Sequence, residues 1–209
     1  MDGKPYAQTV DSLLAEQVLL PPGVHILVQW VLGCSAIGPA RDRLVKKFLS
    51  VKEADCLVMV DADMSWEPGE LYKLARHPHD VIGGTYQPKD GSGRYHVDTC
   101  EGPPIKKGDL WRVSGLPGGF VKISRAALEK MKPSTPVYSG QGGEEWHNYF
   151  RVGWLDGRYY QEDYGFCWWW RHHGGEVWLD PTLDLRHHDG IFREFHGDAA
   201  KWMDDKWNS

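Results

Sequence analysis

Two carboxylates one residue apart, Asp61 and Asp63, follow directly on the apolar run Cys56-Leu57-Val58-Met59-Val60. An unbroken apolar run of this length makes a strand buried on both faces. Ligands of open α/β sheets gather at the carboxyl ends of strands. Paired acids at such a point hold a hard divalent cation through oxygen, and that cation keeps waters and binds substrate phosphates. The same residues also make an Asp-rich turn ahead of a helix opening near Glu67-Pro68, where Asp and Pro are ordinary. Alone, the pair carries both meanings.

Other groups of chemical interest lie far downstream. Glu162-Asp163 heads a Trp-rich segment; acids there complement a helix dipole, or one of them takes a proton from an acceptor hydroxyl as general base. His187-His188-Asp189-Gly190 ends a short strand, with Arg193 just beyond. Adjacent strand residues face opposite sides, so at most one histidine faces a cleft. A neutral imidazole joining two carboxylates completes three protein ligands; otherwise the two are a surface pair. Gly118-Gly119 is either a tight turn or a close approach of ligand to backbone. The chain holds 11 Trp, a residue that packs as core and also stacks on sugars or bases. Trp168, Trp169 and Trp170 cannot all face one core from a helix, because neighbours point about 100° apart.

The elements that must position these groups follow from periodicity. Residues 5–20 form a helix ended by Pro21-Pro22-Gly23, and residues 25–32 a strand. Residues 40–49 form an amphipathic helix, residues 56–60 the strand before Asp61, and residues 68–75 another helix. Residues 81–86 make a short buried strand. This alternation signals a three-layer α/β sheet. Residues 87–118 are turn-rich with a strand at 110–114. A helix follows over 126–131, and then residues 133–158 form a polar loop long enough to be a binding or lid segment. The Trp-rich helix runs to His173, a strand covers 177–179, and the last helix covers about 198–207. The domain spans residues 1–197, with a helical tail at 198–209.

Composition sets the class. With 209 residues, 41% hydrophobic, 25% charged and a net charge of -5, the chain reads as one globular domain without a broad electrostatic grip on nucleic acid. Cys34, Cys56, Cys100 and Cys167 are widely spaced, so reduced thiols are expected, buried at Cys34 and Cys56. No run approaches the roughly 18 apolar residues of a membrane span, and no signal peptide is visible, which gives a cytoplasmic expectation.

In combination, the strand ending in Asp61-Ala-Asp63, the Gly118-Gly119-Phe turn, the Glu162-Asp163 helix head and the late His188-Asp-Gly190 resemble the nucleotide-sugar-dependent glycosyltransferases of the GT-A fold. The resemblance runs from about His25 to Gly197 and begins after the family's usual first strand, which leaves recognition of the donor base outside it. It implies a GT-A-like three-layer sandwich, a central mostly parallel (mixed) sheet and a Rossmann-like nucleotide-binding half. It implies Mn2+ or Mg2+ held by Asp61, Asp63 and His188 against the diphosphate of a UDP- or GDP-sugar. Arg193 and Arg41 would add charge on the phosphates, and Asp163, beside Glu162, would be the base. Gly118-Gly119 would form the acceptor side, with Trp66 and Trp169 as stacking platforms. The acceptor is a hydroxyl of a glycan, a protein or a modified nucleotide. A nucleotidyltransferase shares this phosphate chemistry but carries a basic Gly-rich loop after its first strand. A catalytically inactive carbohydrate-binding protein would keep the fold and the Trp residues.

Overall fold

The structure, a computed structural model, describes residues 4–190 and 193–208. Helix α1 (Ala7–Leu19) stops at Pro21 and Pro22, which lack the amide proton a further turn needs. Helix α2 (Ile37–Ser50) buries Gly38, Arg41, Asp42, Val45 and Phe48, one stripe at helical spacing. Strand β1 (Cys56–Val60), the Asp61–Asp63 turn and strand β2 (Met64–Trp66) follow. Helix α3 (Glu70–Arg76) leads to β3 (Val81–Gly83). Short strands β4 (Asp98–Thr99) and β5 (Ile105–Lys107) precede β6 (Leu110–Gly115) and β7 (Phe120–Ser124). The Ser124 hydroxyl accepts the Ala127 amide at 3.0 Å and so starts helix α4 (Arg125–Met131).

Residues 133–158, expected as a loop, are built into two hairpins: β8 (Val137–Ser139) with β9 (Glu145–His147), and β10 (Gly153–Leu155) with β11 (Arg158–Tyr160). Their strands are three residues each, too short for alternation to register. Helix α5 (Glu162–His172), β12 (Val177–Leu179), β13 (Leu185–Asp189), β14 (Arg193–Phe195) and helix α6 (Ala199–Asn208) complete the chain.

The protein is mixed α/β. The main sheet runs β1-β7-β3-β12-β6-β4, with β5 on β6. Among the described residues only β3 and β12 pair in parallel; the other pairs of this sheet are antiparallel. The expected mostly parallel sheet is therefore corrected. Strand β7 inserts between β1 and β3 and opposes both, although β1, β3 and β12 share a direction. Residues 25–32 carry the expected alternation but no strand, and Leu27, Trp30 and Leu32 are exposed. A strand needs a neighbour for its backbone groups, and no described strand pairs with this segment.

Strict alternation sends each strand's side chains to two cores. Val81, Val121, Ile123, Val177 and Leu179 join residues of α2, α4, α5 and α6 on one face. Ile82, Phe120 and Trp178 join Met64, Trp66 and residues of α3 on the other. Met203 of α6 is fully buried in the first core and Trp207 stacks 6.1 Å from Trp111, so the C-terminal helix is part of this domain rather than a free tail. The four cysteines are free, Cys167 buried and the others, Cys34 and Cys56 included, only partly so. No helix among the described residues is long and apolar enough to cross a membrane.

Helix α1 docks through polar side chains. Thr9 Oγ1 donates to Ala62 O (2.9 Å) and Ser12 Oγ to Trp66 O (3.0 Å). The fully buried Glu16 carboxylate accepts from Trp66 Nε1 (3.2 Å) and from the Gly69 and Tyr72 amides (2.8 Å each), capping α3 from a neighbouring helix. Replacing Glu16 with Ala leaves these donors unpaired and should lower stability by about 2–4 kcal/mol. Urea unfolding measures it, and a loss within error would mean that water serves these donors equally well.

Candidate active site

The end of β1 is where the distant motifs meet. The Asp61 amide donates to Gly119 O (3.0 Å) and the Met64 amide to Asp61 O (3.2 Å), so the acidic turn is pinned to the Gly118-Gly119 turn. Arg41, buried on α2, joins the two turns. Its Nη2 donates to Asp61 Oδ1 (2.9 Å) and its Nη1 to Gly118 O (2.7 Å), while Nε lies 3.4 Å from Glu162 Oε1. The Gly118 amide in turn donates to Asp163 Oδ2 (2.9 Å), and the Tyr164 amide donates to Asp163 Oδ1 (2.8 Å). Tyr86, beyond the end of β3, accepts the Gly119 amide on its buried hydroxyl at 3.1 Å. Asp61, Gly118-Gly119, Glu162 and Asp163 thus form one cluster around a single guanidinium.

Electrostatics follow from that packing. Burial opposes the charge on Arg41, but Asp61 and Glu162 outweigh it and raise its pKa further. Burial pushes the Asp163 carboxyl up against the pull of its amide donors. Glu162 is also raised, by burial first and by neighbouring Asp163 second.

Asp63 turns the other way. Its Oδ2 accepts from Lys89 Nζ at 2.6 Å and lies 3.6 Å from His187 Nε2. His187 Nδ1 is 3.0 Å from Gln87 O; a carbonyl only accepts, so Nδ1 carries a proton there, and Nε2 is the ring nitrogen that faces Asp63. Burial alone would raise the Asp63 pKa, but His187 and Lys89 outweigh burial and hold it at about 2. Tyr6 closes this side: its amide donates to Ala62 O (2.8 Å), and its ring lies 5.8 Å from Lys89 Nζ.

The histidine beside Asp63 is His187, not the expected His188. Strands β2 and β13 pair with His187 opposite Met64, and the His187 ring reaches the acidic turn, with Nε2 3.6 Å from Asp63 Oδ2. His188 points into the protein, buried, with Nε2 2.7 Å from Ser65 Oγ. Among the described residues no group of three His, Cys, Asp and Glu side chains converges as a metal cage. Asp63 with His187 is a carboxylate-imidazole pair, of which the carboxylate is the ligand type that Mn2+ or Mg2+ takes, and the cation now against Asp63 is the Lys89 ammonium. Asp61 is turned to Arg41.

Other assignments change with burial. Arg41 has its guanidinium engaged inside the protein and is no phosphate ligand as it stands. Arg193 is exposed and reaches back to Asp189 Oδ2 (3.4 Å). Trp66 is buried against Phe120 at 5.3 Å, its Nε1 bonded to Glu16. Trp169 has Arg151 3.6 Å over its ring and Trp168 stacked at 5.9 Å; Trp170 is core, as the helical geometry of the triplet requires. Gly118 and Gly119 are glycines for internal reasons: a Cβ on Gly118 would lie 2.6 Å from the Arg41 guanidinium carbon, and one on Gly119 would strike the Tyr86 hydroxyl. Lys89, Tyr86 and Tyr6 were not singled out from the sequence, and His187 was weighed only as the neighbour of His188. The available signal was a lysine in a Gly-rich loop, Pro88-Lys89-Asp90-Gly91, directly after a buried strand.

Arg41→Met should destabilise the fold by about 3–5 kcal/mol, because removing one member of a buried charged set strands the others. Arg41→Lys should recover less than half of that, since one ammonium cannot replace a planar fork with several fixed donors. Denaturant unfolding of both variants is the measurement; wild-type stability in Arg41→Met would show that the cluster does not depend on this cation.

No family model and no curated protein matches this chain. Among solved structures it is similar to A197 from STIV, with a TM-score of 0.49 and 21% identity over 75% of this chain and 69% of that one.

Proposed function

We propose that the chain is a glycosyltransferase of GT-A-like architecture that moves a sugar from a nucleoside diphosphate to an acceptor hydroxyl. One observation carries this: a strand-end Asp-x-Asp, a Gly-Gly turn and a Glu-Asp helix head, up to 102 residues apart (61 to 163), meet around Arg41. Asp63 and His187 would hold Mn2+ or Mg2+, with Asp61 alongside, and such an ion neutralises charge on a leaving diphosphate.

Asp163 is the base in this reading. Its oxygens are oriented by the Gly118 and Tyr164 amides, and each keeps a lone pair for an acceptor hydroxyl. Arg41 sets the position of Glu162 and of the Gly118 carbonyl without touching substrate. For the acceptor, the aromatic surface is Trp154 and Tyr159 rather than Trp66 or Trp169. They face each other across the β10–β11 hairpin, centroids 5.9 Å apart, and are 75% and 49% exposed. The second strand of this hairpin ends at Tyr160, two residues before helix α5 opens at Glu162.

The test is release of nucleoside diphosphate from a panel of UDP- and GDP-sugars with Mn2+, with and without glycan acceptors. Asp163→Asn should cut turnover ~10²–10⁴-fold, the usual contribution of a general base, while donor affinity stays near wild type. A base must be ionised, and burial raises this carboxyl. The rate should therefore rise with pH through a limb above the ordinary aspartate range, and that limb should vanish in Asp163→Asn. Trp154→Ala should raise the acceptor KM and leave donor binding unchanged. Equal turnover of Asp163→Asn and wild type would remove the base from the mechanism, and no turnover with any donor would remove the transferase reading.

A further inference from the structure

Lys89 has a position that an ordinary surface lysine does not have. Its ammonium lies 2.6 Å from Asp63 Oδ2, the oxygen that His187 Nε2 approaches to 3.6 Å. Asp63 and His187 are both largely covered, and the Lys89 ammonium is the cation in contact with Asp63. The loop carrying Lys89 is registered to the site by the hydrogen bond from His187 to Gln87 O, two residues earlier. Beyond Lys89 the chain turns through Gly91 and Gly93, both at positive φ (71° and 68°), a conformation glycine adopts without strain.

We propose that Lys89 is a tethered cation: it holds the divalent-ion position of Asp63 and His187 when no metal is bound, and it passes to the phosphate oxygens of the incoming diphosphate when the metal takes that position. This rests on the reading of the site as a metal-diphosphate site. The physical reason is exclusion. An ammonium in contact with Asp63 Oδ2 and a divalent ion on the same oxygen would be like charges a few ångströms apart, which repel strongly where water is scarce. Metal loading therefore displaces Lys89, and by linkage Lys89 weakens metal binding. The displaced ammonium stays on a flexible four-carbon stem, a compact point charge with rotatable donors, suited to phosphate. It also carries its positive charge to the place where the metal's ligand brings negative charge. The Tyr6 ring centroid lies 5.8 Å from the same Nζ.

The experiment uses Mn2+ alone and inorganic pyrophosphate as probes, so it does not depend on which sugar or base the protein takes. Calorimetry of Mn2+ without nucleotide should show Lys89→Met binding about tenfold tighter than wild type, within the usual range of coupling between two sites. Pyrophosphate binding in saturating Mn2+ should weaken by a similar factor in the same variant, and Lys89→Arg should restore both values toward wild type. A merely structural lysine would move both affinities down together, or neither. Unchanged or weaker Mn2+ binding in Lys89→Met overturns the proposal, as does the absence of Mn2+ binding in wild type and variant alike. Tighter Mn2+ with unchanged pyrophosphate overturns the transfer to phosphate. Circular dichroism and thermal unfolding of each variant separate these outcomes from loss of fold. Failure of the transferase reading is a different result: no turnover of any nucleotide sugar, with the Mn2+ and pyrophosphate responses intact.

Discussion

The site depends on a buried cation. Arg41 sits in the buried stripe of α2, where a charged side chain is tolerated when opposite charges and acceptors surround it. Those partners are Asp61 at the end of β1, the Gly118 carbonyl before β7 and Glu162 at the head of α5. Each comes from a different element, so the requirement to satisfy one guanidinium fixes the relative placement of a helix, two strands and a helix terminus. The two glycines follow from the same demand. With Arg41 against Gly118 and Tyr86 against Gly119, neither position has room for a Cβ.

A second constraint acts through strand pairing. The turn that carries Asp61 and Asp63 runs directly into β2, and β2 pairs with β13. The His188 amide donates to Asp63 O at 2.9 Å, so the register is tied to the acidic turn itself. Pleating then divides the two histidines. One rests against Asp63 and the other against Ser65 in the interior. A slip of one residue would exchange them and bury the wrong imidazole.

The two aspartates share a turn but serve opposite sides. Asp61 looks toward the Arg41 cluster and the helix head, and Asp63 looks toward Lys89 and His187. The arrangement separates a rigid, buried half from a half whose cation stands on a flexible side chain. Helix α1 supports both through unusual means: its buried positions are Thr9, Ser12 and Glu16, and they satisfy backbone groups around β2 and α3, while Leu14, Val18 and Leu19 remain exposed.

Local pattern determined a good deal of this by itself. The apolar run before Asp61, the amphipathic period of α2, the acids ahead of the Trp-rich helix and the short run at Val177–Leu179 each specify their element, because burial period and capping are properties of neighbouring residues. Alternation also dictated that His187 and His188 part company. What alternation cannot say is which of them faces the acids, since that is set by the β2–β13 register, a contact between residues 64–66 and 185–187. The direction of the sheet was hidden for the same reason: β7 reads as a buried strand whether it lies parallel or antiparallel to its neighbours. Residues 25–32 show the converse case, a strand-like alternation left without a partner to pair with. Arg41, Trp66 and Trp169 looked free for ligand because a sequence records charge and ring but not enclosure; their partners Asp61, Glu162, Glu16 and Arg151 are all distant along the chain. Lys89 gained its place only when folding brought the loop after β3 beside a carboxylate 26 residues earlier, because a long-range electrostatic contact leaves no period in the sequence.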